Sequence, residues 1–257
     1  MKKYFLAECL LIKNENRYLV EHLERNLAAG IEHFYIYDNE SEESVEDYLT
    51  ANAPEMLEKC TIELFSADDS LVPKTEAVFN KCAKDYKTEM EWCAFIDTDE
   101  MFTGDLAAYV HEIDEQGLKM IRVFQLLHGS NGHVEDSEGT LFERFGTDES
   151  LRECNMTKSI VKIDFLKYQY THYTALKGYQ KSRSVLIQDQ TSVCLHHFIT
   201  KSLEEYIQKV KRGHAYAGWT YSFAQFRNNA FGTISDEDYN AMMEKYEMTD
   251  YVEPIQS

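Results

Sequence analysis

Asp97, Thr98, Asp99 and Glu100 follow directly on the apolar run Trp92-Cys93-Ala94-Phe95-Ile96. Carboxylates set this close repel one another and any anionic ligand. They become useful when a hard divalent cation sits among them, because Mg2+ and Mn2+ take oxygen ligands and bridge protein carboxylates to substrate phosphates. An Asp-x-Asp at a strand end is therefore a candidate metal–diphosphate site. The competing reading is a solvated acidic turn, a common feature of acidic chains.

The elements that must position these acids are legible around them. A short apolar run bounded by polar residues reads as a strand buried on both faces, and open α/β sheets bind ligands beyond the carboxyl ends of such strands. Tyr4 to Ile12 reads as strand one, followed by the polar turn Lys13-Asn14-Glu15-Asn16. Leu19, Leu23 and Leu27 recur at helical spacing, and Gly30 suits the helix C-terminus. His33 to Tyr37, Cys60 to Phe65 and the run into Asp97 are three further strands, separated by helices over Val45–Ala51 and Lys74–Tyr86, the latter with Ala77, Val78 and Cys82 inward. Strands alternating with helices predict a parallel sheet with right-handed crossovers. The polar sets Asp38-Asn39-Glu40-Ser41 and Ser66-Ala67-Asp68-Asp69-Ser70 then fall on the same edge as Asp97, which suits a nucleotide crevice.

The second half is less regular. It offers a helix over Asp105–Glu112, a strand over Lys119–Leu127, the Gly-rich loop His128–His133, and a short strand over Thr140–Phe145. Lys158 to Ile163 alternates polar and apolar residues as a half-buried strand does. A last strand spans Thr191–Phe198. Ser202-Leu203-Glu204-Glu205 is a capping box, and the helix it opens ends at Gly213. A terminal helix is expected over Asp236–Lys245. No internal repeat and no low-complexity linker is present, so the division expected is a main domain over 1–213 with a C-terminal extension, 214–257, packed on it.

Composition excludes several classes. The formal net charge of -19 over 257 residues opposes a duplex nucleic-acid binder, which needs a basic footprint, and opposes docking on an anionic membrane through charge alone. The 44% hydrophobic content is that of an ordinary globular protein. The six cysteines form no Cys-x-x-Cys pair and several lie in apolar runs, as buried free thiols of a reducing compartment do. Met1-Lys2-Lys3 ahead of an apolar stretch imitates a signal peptide, but Glu8 interrupts the run and no small-residue cleavage site follows. No stretch approaches transmembrane length. A soluble cytoplasmic protein is expected.

Lys13-Asn14-Glu15, Tyr35-Ile36-Tyr37-Asp38-Asn39-x-Ser41 and Phe95-Ile96-Asp97-Thr98-Asp99-Glu100 resemble the family 2 and family 92 glycosyltransferases with a GT-A fold. Gly129-Ser130-Asn131-Gly132-His133, Glu143-Arg144-Phe145, Lys158-Ser159-Ile160-Val161 and His197-Phe198-Ile199-Thr200-Lys201-Ser202-x-Glu204-Glu205 are similar to motifs of the family 92-like branch. The resemblance spans roughly residues 4 to 213. It implies a mostly parallel sheet flanked by helices, a nucleoside diphosphate sugar donor (a UDP-sugar), a saccharide or glycolipid acceptor, and Mn2+ or Mg2+. Carried over, Glu15, Asp38 and Asn39 lie on the donor nucleotide, Asp97 contacts ribose or metal, Asp99 ligates the metal, and His197 completes the metal site. Met101 and Leu127-His128 depart from the commoner pattern, on the acceptor side.

Residue chemistry narrows some of these roles. His196 and His197 are neighbours on a strand and face opposite sides, so one of them reaches a common site. Lys158 and Lys201 are candidates to neutralise a diphosphate; the alternative is a pair of solvated lysines. An inverting transfer needs a base for the acceptor hydroxyl, and Glu135 and Asp136 past the Gly-rich loop are the candidates. His133 is a candidate acceptor contact or a turn histidine. The aromatic stretch Tyr216–Phe231 reads as a packed terminal lobe, with peripheral contact to a partner or lipid edge as the alternative. Two other functions fit parts of the pattern. A sugar nucleotidyltransferase also uses acids and a metal at strand ends, but no Gly-rich phosphate loop follows strand one. A non-catalytic nucleotide- or glycan-binding module would keep Asp38 and the fold without needing a base.

Overall fold

The computed structural model describes residues 2–66, 72–147, 151–178, 184–187, 192–213, 221–230 and 234–249, and the side chains of all of these except 151–156 and 184–187. Asp68-Asp69 and the 216–220 part of the aromatic stretch lie outside the described residues.

The first half alternates strands and helices: β1 (Tyr4–Ile12), α1 (Asn16–Ala28), β2 (His33–Asp38), α2 (Val45–Asn52), β3 (Cys60–Leu64), α3 (Lys74–Asp85) and β4 (Met90–Phe95). Then come β5 (Glu100–Gly104), α4 (Leu106–Glu115), β6 (Met120–His128), α5 (Leu141–Phe145) and β7 (Leu151–Lys162). The hairpin β8 (Leu166–Gln169) and β9 (Thr174–Leu176) precedes β10 (Ser184–Ile187), β11 (Val193–His197), α6 (Leu203–Arg212), α7 (Phe223–Asn229) and α8 (Asp236–Lys245).

The main sheet runs β3-β2-β1-β4-β7-β6-β11-β5, with β10 paired to β6. β1 is parallel to both β2 and β4, β2 is parallel to β3, and β10 is parallel to β6, whereas β7 runs antiparallel to β4. This mostly parallel sheet flanked by helices is the arrangement expected from the sequence. The order 3-2-1-4 reverses direction at β1, and such a reversal opens a crevice at the carboxyl ends of the two strands that flank it.

Alternation along β1 and β4 explains the layering. Leu6, Leu10, Trp92, Ala94 and Ile96 face one side and pack with Leu19 and Leu23 of α1, Val45 and Leu49 of α2, and Leu106 and Val110 of α4. Ala7, Cys9, Cys93 and Phe95 face the other side and pack with Val78, Phe79 and Cys82 of α3. Each fully buried aliphatic or aromatic side chain contributes about 1.5–3 kcal/mol. Of the residues expected inward on α3, Ala77 is only half-buried. Gly30 has φ +100°, and a Cβ there would come within 2.4 Å of the Ala107 Cβ, so the turn between α1 and β2 requires glycine on two counts.

The chain forms two compact units. The first is Met1–Gln125 with Cys154–His196; the second is Leu126–Glu153 with His197–Ser257. Within the second unit, Leu203, Tyr206 and Ile207 of α6 share a core with Phe223 and Phe226 of α7 and with Met242 and Met243 of α8, so the extension and the helix before 213 form one cluster.

One element differs in type. Thr140–Phe145, expected as a short strand, is the helix α5. The Thr140 side chain accepts from the Glu143 amide while Glu143 reaches back to the Thr140 amide, a complete capping box. The T-x-x-E signal for this helix start lies in the sequence.

Candidate active site

The carboxyl edge of the parallel strands gathers most of the residues singled out from the sequence. Ile12 of β1 pairs with Asp38 of β2, and Asp38 with Leu64 of β3, so the three strands end level with one another. The loops that follow are tied together. Asn14, in the left-handed region at φ 51°, donates its amide to Ser41 Oγ (3.0 Å) and accepts from the Glu42 amide (2.8 Å). Asn16 Nδ2 donates to the Glu43 carbonyl at 2.7 Å.

Asp38 is buried and organises its loop. One carboxylate oxygen accepts from the Ser41 amide (2.9 Å) and the other from the Val45 amide (3.0 Å) at the start of α2. Asn39 is also buried, and its Oδ1 has no hydrogen-bond partner among the described residues. Glu15 is the N-terminal flanking residue of α1 and is half-buried.

The acidic turn lies between β4 and β5. Asp97 is its exposed member, with 37% of its side chain accessible, whereas Asp99 and Glu100 are buried. Lys158 of β7 is fully buried beneath them. Its ammonium is 2.5 Å from Asp97 Oδ2 and 3.2 Å from Glu100 Oε2. Antiparallel pairing of Phe95 with Ser159 brings Lys158 level with the residues just beyond β4. Lys158 is thus the internal countercharge of the turn. Burial opposes its charge, but Asp97 and Glu100 outweigh that and hold its pKa above the ordinary value.

Glu100 carries the opposite burden. Burial pushes its carboxyl up to about 8, against the pull of Lys158, and the Asp97 and Asp99 charges push the same way. It accepts from the Asp97 amide at 2.9 Å and from Gln125 Nε2 on β6.

Sequence reasoning missed the cluster behind this turn. Glu8 of β1 and His22 and Asn26 of α1 are fully buried. His22 Nε2 is 2.5 Å from Glu8 Oε1, and Asn26 Nδ2 donates to Glu8 Oε2 at 2.8 Å. Asn26 Oδ1 in turn accepts from the Phe102 amide of β5 (2.8 Å), fastening α1 to the strand that leaves the acidic turn. Burial would lower the His22 pKa, but Glu8, the Thr98 carbonyl and Asp99 together raise it. The available signal was a glutamate inside an apolar strand followed by His and Asn one helical turn apart on the same face.

The donor set can be tested against a metal. Among the described residues no group of three or more His, Cys, Asp or Glu side chains is placed to hold an ion. Asp97 and Asp99 nevertheless offer hard carboxylate oxygens, which suit Mg2+ or Mn2+ ions that keep waters and substrate phosphates as their other ligands. The buried Thr98 Oγ1 between them has no hydrogen-bond partner among the described residues, as a site completed by a ligand would leave it. The residues fit a half-site of two carboxylates.

His196 of β11 is hydrogen-bonded to Thr103 Oγ1 of β5 (3.0 Å), a structural contact. His197, Lys201, Glu135 and Asp136 belong to the second unit. There His197 and Lys201 are buried, and Lys201 has φ +59°, a strained backbone for a lysine. Asp136 is held by Arg144 Nη2 at 3.2 Å, and the same guanidinium grips Glu205 at 3.0 and 2.5 Å. Glu135 is exposed and lies 3.6 Å from Lys245. His133 packs edge-on against Phe145.

A model of glycosyltransferase family 92 matches residues 9–249. A glycosyltransferase family 92 protein of Ricinus communis is 24% identical over 225 residues, covering 74% of this chain and 40% of that protein. One from Arabidopsis thaliana is 30% identical over 103 residues, 39% of this chain and 16% of that one. The chain spans less than half the length of these curated relatives. Among solved structures, that of S. aureus TarS residues 1–349 aligns with 14% identity and a TM-score of 0.46 over 97% of this chain and 74% of that chain.

Proposed function

Because the chain belongs to glycosyltransferase family 92, we propose that it transfers a sugar from a nucleoside diphosphate sugar, a UDP-sugar, to a saccharide or glycolipid acceptor with inversion. The observation that carries this reading is the acidic turn beyond β4, at the point where the strand order reverses, with Asp97 partly exposed and backed by the buried Lys158.

Asp97 and Asp99 are the residues that would hold Mn2+ or Mg2+. When bound, the ion supplies Lewis-acid stabilisation of the departing diphosphate. The chain's own contribution is positional. Lys158 offsets the charge of Asp97 and also contacts Glu100, so it ties the turn to β7. Asp38 holds the Asn39–Ser44 loop in register, and that loop with Glu15 and the unpartnered Asn39 Oδ1 forms the nucleotide side. The free thiols at Cys9, Cys60, Cys82 and Cys93 support a reducing compartment, the cytoplasm. No helix among the described residues is long and apolar enough to cross a membrane.

The test is a thermal-shift titration of UDP and UDP-sugars with and without Mn2+, on wild type and Asp99→Ala. Ligand at a hundred times its dissociation constant stabilises by about 2.7 kcal/mol, a shift of several degrees. A Mn2+-dependent shift that disappears in Asp99→Ala is expected. Absence of a shift with every nucleotide sinks the proposal.

A further inference from the structure

The β8–β9 hairpin is short and its turn is exposed, yet its backbone is held from several directions. Asn80 of α3 pairs with Gln169 twice, its Nδ2 donating to the Gln169 carbonyl (2.7 Å) and its Oδ1 accepting from the Gln169 amide (2.9 Å). Glu76, one helical turn earlier and buried, accepts from Tyr168 Oη (3.3 Å) and from the Thr171 amide (3.4 Å). The fully buried Gln169 side chain donates to the carbonyls of Tyr170 (2.7 Å) and Tyr173 (3.4 Å) and accepts from Thr174 Oγ1 (2.6 Å). Thr157 Oγ1, one residue before Lys158 on β7, donates to the His172 carbonyl at 3.3 Å.

That last bond locates the turn. Phe95 pairs with Ser159 in antiparallel register, so Thr157 lies beyond the carboxyl end of β4, on the edge that carries Asp97. Partial desolvation and then the Lys158 ammonium lower the His172 pKa, while Asp97 and Glu76 act in the opposite sense. The turn presents two exposed side chains there, His172 and Tyr173. Tyr173 is 54% accessible and stacks on Tyr170 with ring centroids 4.0 Å apart and planes 15° from parallel. A rigid scaffold that presents an aromatic face beside a group able to donate and accept hydrogen bonds is the chemistry a pyranose needs. Its C–H face lies on the ring and its hydroxyls meet the imidazole.

We propose that Tyr173 and His172 form a saccharide subsite at the edge of the acidic turn, with Tyr173 as the stacking platform and His172 as the hydroxyl contact. The proposal rests on the glycosyltransferase reading. The sugar is that of the donor or that of the acceptor, and both present the same chemistry.

The experiment compares the full chain with Tyr173→Ala, Tyr173→Phe and His172→Ala, first matched in Tm. Affinities for UDP, UDP-glucose and UDP-galactose are measured by calorimetry with Mn2+ present, and binding of free methyl glycosides by saturation-transfer NMR. If the subsite holds the donor sugar, Tyr173→Ala and His172→Ala weaken UDP-sugars at least fivefold and leave UDP unchanged. If it holds the acceptor, UDP-sugars bind normally and the glycoside signal is lost. Tyr173→Phe, which keeps the ring, behaves as wild type in either case. Unchanged binding of every ligand by the alanine variants, or equal weakening of UDP and UDP-sugars, overturns the subsite alone. A wild-type chain that binds neither UDP nor UDP-sugars overturns the glycosyltransferase reading and the subsite with it.

Discussion

Glu100→Gln isolates the cost of placing a carboxyl under the acidic turn. Glu100 is fully buried, and its pKa moves from the ordinary 4.5 to about 8. A group whose folded pKa is raised contributes stability that is whole below the unfolded value and is lost as pH climbs to the folded one. Between about pH 5.5 and about pH 8.5, wild type therefore withdraws about 3 kcal/mol through this group. The amide variant has no such titration. It also keeps its hydrogen bonds, since the new carbonyl accepts from the Asp97 amide and Lys158. Gln125 can rotate, so that its Oε1, which has no partner among the described residues, receives the new amide N–H. The assay is urea unfolding at several pH values with a chelator present, followed by tryptophan fluorescence, to which Trp92, buried in β4, contributes. With an m-value of about 3 kcal/mol/M, the wild-type midpoint falls by about 1 M relative to the variant across that range. Parallel midpoint curves for the two proteins would refute the reasoning, because they would show that Glu100 does not exchange a proton between the two pH limits.

Three further outcomes are expected. His22→Ala leaves Glu8 buried without its ring partner and costs about 3–5 kcal/mol, and adding Glu8→Gln recovers part of that loss in a double-mutant cycle by urea unfolding; strictly additive losses would show that the pair is not coupled. In the second unit, Arg144→Lys is expected to fall well short of wild type in thermal stability, because an ammonium cannot reproduce the two-pronged grip on Glu205 while also reaching Asp136; a Tm equal to wild type would count against that grip. Gly104→Ala should destabilise by about 2 kcal/mol or more, since φ is +88° and a Cβ would stand 2.0 Å from the Ser192 carbonyl oxygen; an unchanged unfolding midpoint would exclude that clash.

Local patterns were enough for much of the architecture. Apolar runs leading into Asp38 and Asp97 place strand ends correctly, because a strand buried on both faces is nearly continuous in apolar residues and both runs give way to polar sets at their carboxyl ends. The capping box at Ser202–Glu205 and the helix over Asp236–Lys245 are local as well, since caps and helical periodicity act within one or two turns. The misread element, Thr140–Phe145, carries a local capping box that marks a helix start. The hairpin β8–β9 was not legible at all, because what holds Gln169 and Thr171 is Asn80 and Glu76, about ninety residues earlier.

The acidic turn shows the same division at the scale of a site. From sequence alone, the residue types and their strand-end position specify that Asp97, Asp99 and Glu100 can offer hard oxygen ligands. Whether each does so depends on dielectric and distance, which are properties of packing. The fold buries Glu100 and Asp99, leaves Asp97 partly in water, and brings Lys158 across from β7 to neutralise the turn. It also ties Glu8, His22 and Asn26 to β5, and the His172 carbonyl to Thr157 of β7. Chemical capacity is written in the side chains themselves. Charge state and exposure arise only when the sheet closes, because they depend on neighbours far away in the chain.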